Sequence, residues 1–189
     1  DGLGMGVRDH IAAGRLALRQ VDPAEFSPGE FAHLVRRAVE ADGARMVLID
    51  SLNGYLNGMP GEHHLSMHLH ELLSYLNNRN VVTVLTLCQY GFTGQGVRSP
   101  VDVSYLADVA VLLRYFETAG TVRRAASVMK RRCGPHETTI RELTVAPPKG
   151  VRFGQTLAEF HGVLTGQPVC TGQAAGLAGG AEAAGGTGG

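Results

Sequence analysis

The sequence has no tryptophan, three cysteines and only two lysines in 189 residues. Each scarcity excludes something. Cys88, Cys133 and Cys170 are odd in number, far apart and never in a CxxC, which argues against a disulfide framework. Free thiols suit a reducing compartment, so the expected location is cytoplasmic. No apolar run approaches the roughly 20 residues that a membrane helix requires. Charge of one sign is also lacking. Seventeen basic and 17 acidic side chains cancel, leaving no global field that would favour nucleic acid or an anionic membrane. What remains, 44% hydrophobic and 18% charged, describes a soluble globular protein with room for one domain and a sizeable core. The chain starts at Asp1 rather than Met and reads as a fragment whose natural start lies upstream.

Residues 6 to 14 look like a helix end closed by Gly14, and "RLALRQV" reads as a short strand. Ser27-Pro28 is a helix start: Ser caps and Pro fits the first turn. Phe31, Leu34, Val35 and Ala38 follow at helical spacing, and Gly43 stops the helix. The strand "RMVLID" and a loop "SLNGYLNGMPG" come next. A helix is expected from about Glu62 to Arg79, with Leu65, Leu69, Leu72, Leu73 and Leu76 on one face. "NVVTVLTL" and "DVAVLLRYFE" read as strands covered on both sides, separated by a polar glycine-bearing loop. Their order predicts an α/β fold with a parallel, doubly wound sheet. Beyond it, "TVRRAASVMKRR" forms a hairpin through Ala119-Gly120, followed by strands at "ETTIRELTV" and "GVRFG", a C-terminal antiparallel extension. The expected division is an ordered domain over residues 1–168 and a disordered Gly/Ala-rich tail over 169–189.

"RMVLIDS" sets the functional question. A branched apolar run ending in one acid, Asp50, is how a buried parallel strand looks when its last residue serves a metal ion at the sheet edge. In nucleotide-hydrolysing proteins this is the Walker B strand, and it works beside a Walker A loop, G-x-x-x-x-G-K-[ST]. Neither lysine supplies that loop: Lys130 sits in "ASVMKRR" and Lys149 in "APPKGV". Two readings stay open: an ordinary core strand ending in Asp, or a site whose phosphate loop lies upstream.

The hairpin bears on this choice. Strand alternation predicts Arg124, Lys130 and Arg132 on one face, with Ala126 and Val128 between them. Three cations on one face repel one another unless an anion joins them, and a triphosphate is such an anion. The competing explanation is a solvated, arginine-rich edge that discourages strand pairing.

Together, "MVLIDSLNGY", "VSYLADVAVLLRYFE", "GTVRRAASVMKRRCGPHETTIRELTV" and "GVRFGQTLAEFHGVLTG" resemble the KaiC-like group of RecA-type ATPases, over about Gly14 to Gly166. The most specific part is K-x-R followed four residues later by His and an acid: Lys130, Arg132, His136 and Glu137. The resemblance implies a RecA-like, mostly parallel twisted sheet flanked by helices. It implies ATP and Mg²⁺ as cofactors, bound between subunits of a homo-oligomeric, hexameric ring. Asp50 would be the Walker B aspartate, serving Mg²⁺ indirectly. Lys130, Arg131, Arg132 and His136, with Arg124 nearby, would reach the ATP of the neighbouring subunit. The phosphate loop and catalytic glutamates would precede Asp1, so the segment alone is expected to be inactive. The clock member of the family phosphorylates an adjacent Ser-Thr pair. Here that position reads Ser104-Tyr105, so Ser104 is the candidate phosphosite for a Ser/Thr autokinase, or the cap of the turn "SYLAD". The alternative is a non-catalytic signalling or assembly module with partner proteins.

Other constellations are weaker. His64 and His68 are i, i+4, a metal-ligand spacing, but no HExxH and no third ligand accompany them. "GLGMG" is not preceded by a strand. Gln89 could sense a γ-phosphate or simply begin a loop. "CQYGFTGQGVRSPVD" contains a single Arg, a poor channel loop for DNA.

Overall fold

A computed structural model of the chain describes residues 3–58, 64–88, 105–148, 150–165 and 168–170. It opens with the short helix α1 (Val7–Ala12). The residues after it do not form the expected strand. Residues 15–21 run as irregular chain with Leu18 83% exposed, because among the described residues no strand pairs with them to take their hydrogen bonds.

Helix α2 (Pro28–Glu40) starts as its sequence predicts. Ser27 Oγ accepts from the Glu30 amide, Glu30 accepts from the Ser27 amide, and Pro28 occupies the first turn. These bonds hold the Glu30 carboxyl below the usual range, the backbone bond from Ser27 contributing most. Strand β1 (Met46–Ile49) follows. The stretch expected to be a loop is instead the helix α3 (Leu52–Gly58), which buries Leu52 and Tyr55 at helical spacing. Helix α4 (Leu65–Asn78) then buries Leu69, Leu72 and Leu76.

Strand β2 (Val82–Leu85) pairs in parallel with β1, from Met46 opposite Val82 to Ile49 opposite Leu85. Helices α2 and α4 cover one side of this pair. Val35, Leu72, Leu76 and Val81 form its buried centre, with Phe31, Val39 and Val47 against them. A second cluster of Leu52, Tyr55 and Leu69 joins α3 to α4. The other side, Met46, Leu48, Val82 and Val84, is exposed. Coverage on both sides is therefore not met among the described residues.

The next four strands form a separate antiparallel sheet: β3 (Val109–Thr118), β4 (Thr121–Arg131), β5 (Arg141–Ala146) and β6 (Gly150–Thr156), in that order. The expected third parallel strand is thus the first strand of the antiparallel sheet. The β3–β4 turn is Ala119-Gly120, both at positive φ (47° and 70°), the conformation that matches the twist of a tight hairpin. One face of the sheet buries Phe116, Ala125, Leu157 and Val163, with Ile140 and Phe160 against them. Arg123 and Glu142 close over this core. Their two hydrogen bonds are both 2.8 Å, and the guanidinium lies 5.6 Å from the Phe116 and Phe160 rings. Hydrogen bonding from Arg123 holds the Glu142 carboxyl below its ordinary value, against the opposing effect of desolvation.

A final pair, β7 (Phe160–His161) and β8 (Val169–Cys170), carries the paired chain two residues past the expected domain boundary at 168. The Gly/Ala-rich stretch 171–189 lies outside the described residues. No helix among the described residues is long and apolar enough to cross a membrane.

Two outcomes follow from these contacts. Replacing Ala119 with Asn puts a residue that tolerates positive φ at the turn. It should stabilise the protein by about 0.5–1 kcal/mol, seen as a higher midpoint in a thermal melt. Glu142→Gln should cost about 1–2 kcal/mol at neutral pH in urea unfolding. Because the folded Glu142 pKa is depressed, its stabilisation is complete above the ordinary carboxyl value and lost as pH falls through the folded one. The wild type should therefore lose more stability than Glu142→Gln between about pH 5 and pH 3.

Candidate nucleotide site

Asp50 follows directly on β1, at the C-terminal edge of the parallel pair, and is exposed. In open α/β sheets that edge is where ligands bind. The ladder continues beyond the strands. The Thr86 amide donates to Ile49 O (3.1 Å) and the Leu52 amide to Thr86 O (2.9 Å), so the chain on either side of Asp50 is held to β2. Thr86 Oγ1 donates to Asp50 Oδ1 at 2.5 Å. Two residues beyond Thr86, the backbone of Cys88 pairs in both directions with the Asn53 side-chain amide, at 2.9 and 2.7 Å.

The donor chemistry suits magnesium, a hard cation that takes one or two carboxylates and fills its remaining positions with water and phosphate oxygens. Among the described residues no group of three or more His, Cys, Asp or Glu could hold a metal ion by itself. His64 takes the N-cap position of α4 at φ 73°, and His68 lies 3.9 Å from Glu71; among the described residues this pair belongs to no group of three potential metal ligands.

The cations of the second candidate region lie on β4 and the turn after it. Strand alternation fails here, and the reason is a β-bulge. Lys130 pairs with Ala110 but Val128 pairs with Val111, so Met129 is an extra residue. Paired residues share a face. Arg124, Ala126, Val128 and Arg131 therefore stand with Val109, Val111, Leu113 and Tyr115. Lys130 stands with Ala110 on the opposite face, and the Arg132 amide, bonded to Asp108 O at 2.7 Å, continues that face. The expected grouping of Arg124 with Lys130 and Arg132 is corrected accordingly: Lys130 and Arg132 go together, and Arg124 goes with Arg131.

Each cation has local company. Arg132 pairs with Asp108 Oδ1 at 3.1 Å and donates to Tyr105 O at 2.8 Å. Arg131 donates to Pro135 O at 2.6 Å, and the Arg124 guanidinium lies 5.4 Å from the Tyr115 ring centre. Lys130 and His136 are half-buried. Glu137, the last member of the K-x-R/His/acid pattern, accepts from the Thr139 hydroxyl and amide and pairs with Arg141 at 3.3 Å. These interactions, Thr139's hydroxyl foremost, hold its carboxyl below the ordinary value.

Ser104 and Gln89 lie outside the described residues. Sequence reasoning missed Thr86, Asn53 and Asp108. A hydroxyl ending an apolar strand beside one that ends in Asp was the available signal for Thr86. Asn53 and Asp108 gave none, since each acts on a residue brought near by the fold.

Comparison with known proteins decides the family. The KaiC ATPase model matches residues 6–158. The chain belongs to the KaiC family. Among relatives, circadian clock protein KaiC3 of Synechocystis is 28% identical over 102 residues, 54% of this chain and 20% of that protein. The circadian clock oscillator protein KaiC of Prochlorococcus marinus is 22% identical over 163 residues, covering 86% of this chain and 28% of the relative. This chain thus spans between a fifth and under a third of these relatives. A KaiC-like protein from Pyrococcus horikoshii shares the fold, with a TM-score of 0.69 at 19% identity, over 82% of this chain and 67% of that one. The RecA-like α/β architecture expected for the KaiC family is therefore the architecture of this chain.

Proposed function

We propose that this chain carries two complementary parts of an ATP site formed between adjoining copies in a ring. Asp50 belongs to the site of its own subunit; Lys130, Arg132 and His136 serve the site of the next. The reading is supported chiefly by an exposed carboxylate, hydrogen-bonded to Thr86, at the C-terminal edge of a parallel strand pair in a KaiC-family fold. Bound Mg²⁺ would neutralise charge on the triphosphate and polarise the phosphoryl group being transferred. Asp50 would hold that ion through its water shell, and the reaction would be hydrolysis of the γ-phosphate.

Arg132 is already paired with Asp108, which raises the question of whether it is free to serve. The two side chains are 53% and 65% exposed, and an exposed ion pair contributes only about 0–1 kcal/mol. A triphosphate with its greater charge competes with that easily. The Asp108 contact then holds the guanidinium in place without withholding it. Since phosphoryl transfer depends on positioning and charge neutralisation, loss of either part should be severe.

A subunit-mixing assay on the full-length protein tests the division of labour. Asp50→Ala and Arg132→Ala should each lower ATP turnover by about 100-fold or more. In an equimolar mixture, about a quarter of the head-to-tail interfaces combine an intact Asp50 with an intact Arg132 from the neighbour, so about a quarter of wild-type turnover should return. A mixture no more active than the two variants alone would place both residues in one subunit's site, or in none.

A further inference from the structure

The hydrogen bonds around Asp50 go beyond what its identity as a strand-end acid requires. Backbone pairing alone already extends the β1–β2 ladder, through Thr86 N to Ile49 O and Leu52 N to Thr86 O. Two side chains add to it at the same edge. Thr86 Oγ1 takes up one specific carboxylate oxygen, Oδ1. The half-buried Asn53 amide satisfies both the N–H and the C=O of Cys88, doing for this segment what a third strand residue would do. The segment from Thr86 to Cys88 is thus tied down at both ends, once by backbone and once by a side chain.

We propose that Thr86 and Asn53 are positioning residues for a hydrated divalent cation at Asp50. Thr86 commits Oδ1 and so fixes the rotation of the carboxylate, directing Oδ2 towards the ion's water shell. Asn53 acts one step further out. By clamping Cys88 it prevents the end of β2 from peeling away and carrying the Thr86 hydroxyl with it. The two contacts lie at opposite ends of the same short segment, so each helps keep the other in register. The inference rests on the reading of Asp50 as the carboxylate that serves Mg²⁺. It adds which residues orient that carboxylate.

The chemistry distinguishes this role from simple edge stabilisation. A hydroxyl at position 86 is required, but its methyl group is not. Valine has the same shape without the donor and leaves Oδ1 without its partner. Serine keeps the donor. A purely structural role would follow shape, whereas a positioning role follows the hydroxyl.

The test measures affinity for Mn²⁺, used as the spectroscopic stand-in for Mg²⁺, by electron paramagnetic resonance on the full-length protein with a non-hydrolysable ATP analogue. Thr86→Val should weaken Mn²⁺ binding about tenfold, the usual effect of removing a group that orients a metal-binding carboxylate. Thr86→Ser should remain within about twofold of wild type, and Asn53→Ala should weaken binding by about threefold to tenfold. In an Asp50→Ala background, Thr86→Val should have no further effect, because the group it orients is gone. If Asp50→Ala itself leaves Mn²⁺ affinity unchanged, the reading of Asp50 fails. If Asp50→Ala weakens binding while Thr86→Val does not, or if the two losses simply add, the positioning role is overturned and Asp50 keeps its own. Should Thr86→Val fail to fold, Thr86→Ala carries the same comparison with Thr86→Ser.

Discussion

The parallel pairing of β1 with β2 is the constraint on which the candidate site depends. Parallel strands run their carboxyl ends to the same edge, and only there can one strand's terminal acid meet a hydroxyl from the next. Burial of Val35, Leu72, Leu76 and Val81 beneath the pair fixes the register, because a slip by one residue would turn Val47 and Ile49 away from the helices. Removing a side chain such as Leu76 would cost about 2–5 kcal/mol. Each hydrogen bond at the edge contributes about 1 kcal/mol, more where a carboxylate accepts. The core therefore sets the geometry, and the polar contacts refine it.

The second sheet obeys a different logic. Its strands are antiparallel, its turn is tight, and its main core cluster is Phe116, Ala125, Leu157 and Val163. Such a sheet is built from local pairings and holds together through neighbours in sequence. That is a suitable base for the cationic element proposed to serve a neighbouring subunit, since the sheet's core does not depend on what the cations meet. Arg123 and Glu142 anchor the base. Lys130, Arg132 and His136 occupy the strand's far end and the turn beyond it.

Much of this was legible in the residues, and the failures have identifiable physical causes. The Ser27-Pro28 helix start and the leucine stripe of α4 are local signals, and the structure repeats them. "RLALRQV" alternates well enough for a strand, but a strand exists only where a partner edge is present, and alternation does not report that. "SLNGYLNG", expected as a loop, is helical because Leu52, Tyr55 and Leu56 stand at helical spacing and two of them are buried. At the site, Asp50 and the cations were visible one by one because charged residues at strand ends stand out. Their partners were not, since Thr86 lies 36 residues from Asp50 and Asp108 lies 24 from Arg132.

The supernumerary Met129 has a consequence for how this hairpin can change over time. Upstream of it the strand obeys one parity, downstream the other, so a single odd residue decides which side of the sheet each cation serves. Excising that methionine would leave net charge and the K-x-R spelling intact and would keep the lysine opposite Ala110 and the arginine opposite Asp108, because the residue removed is the one the ladder skips. Loss of one codon there is therefore harmless to the hairpin's wiring, whereas ironing the bulge flat with the methionine kept would turn both cations over.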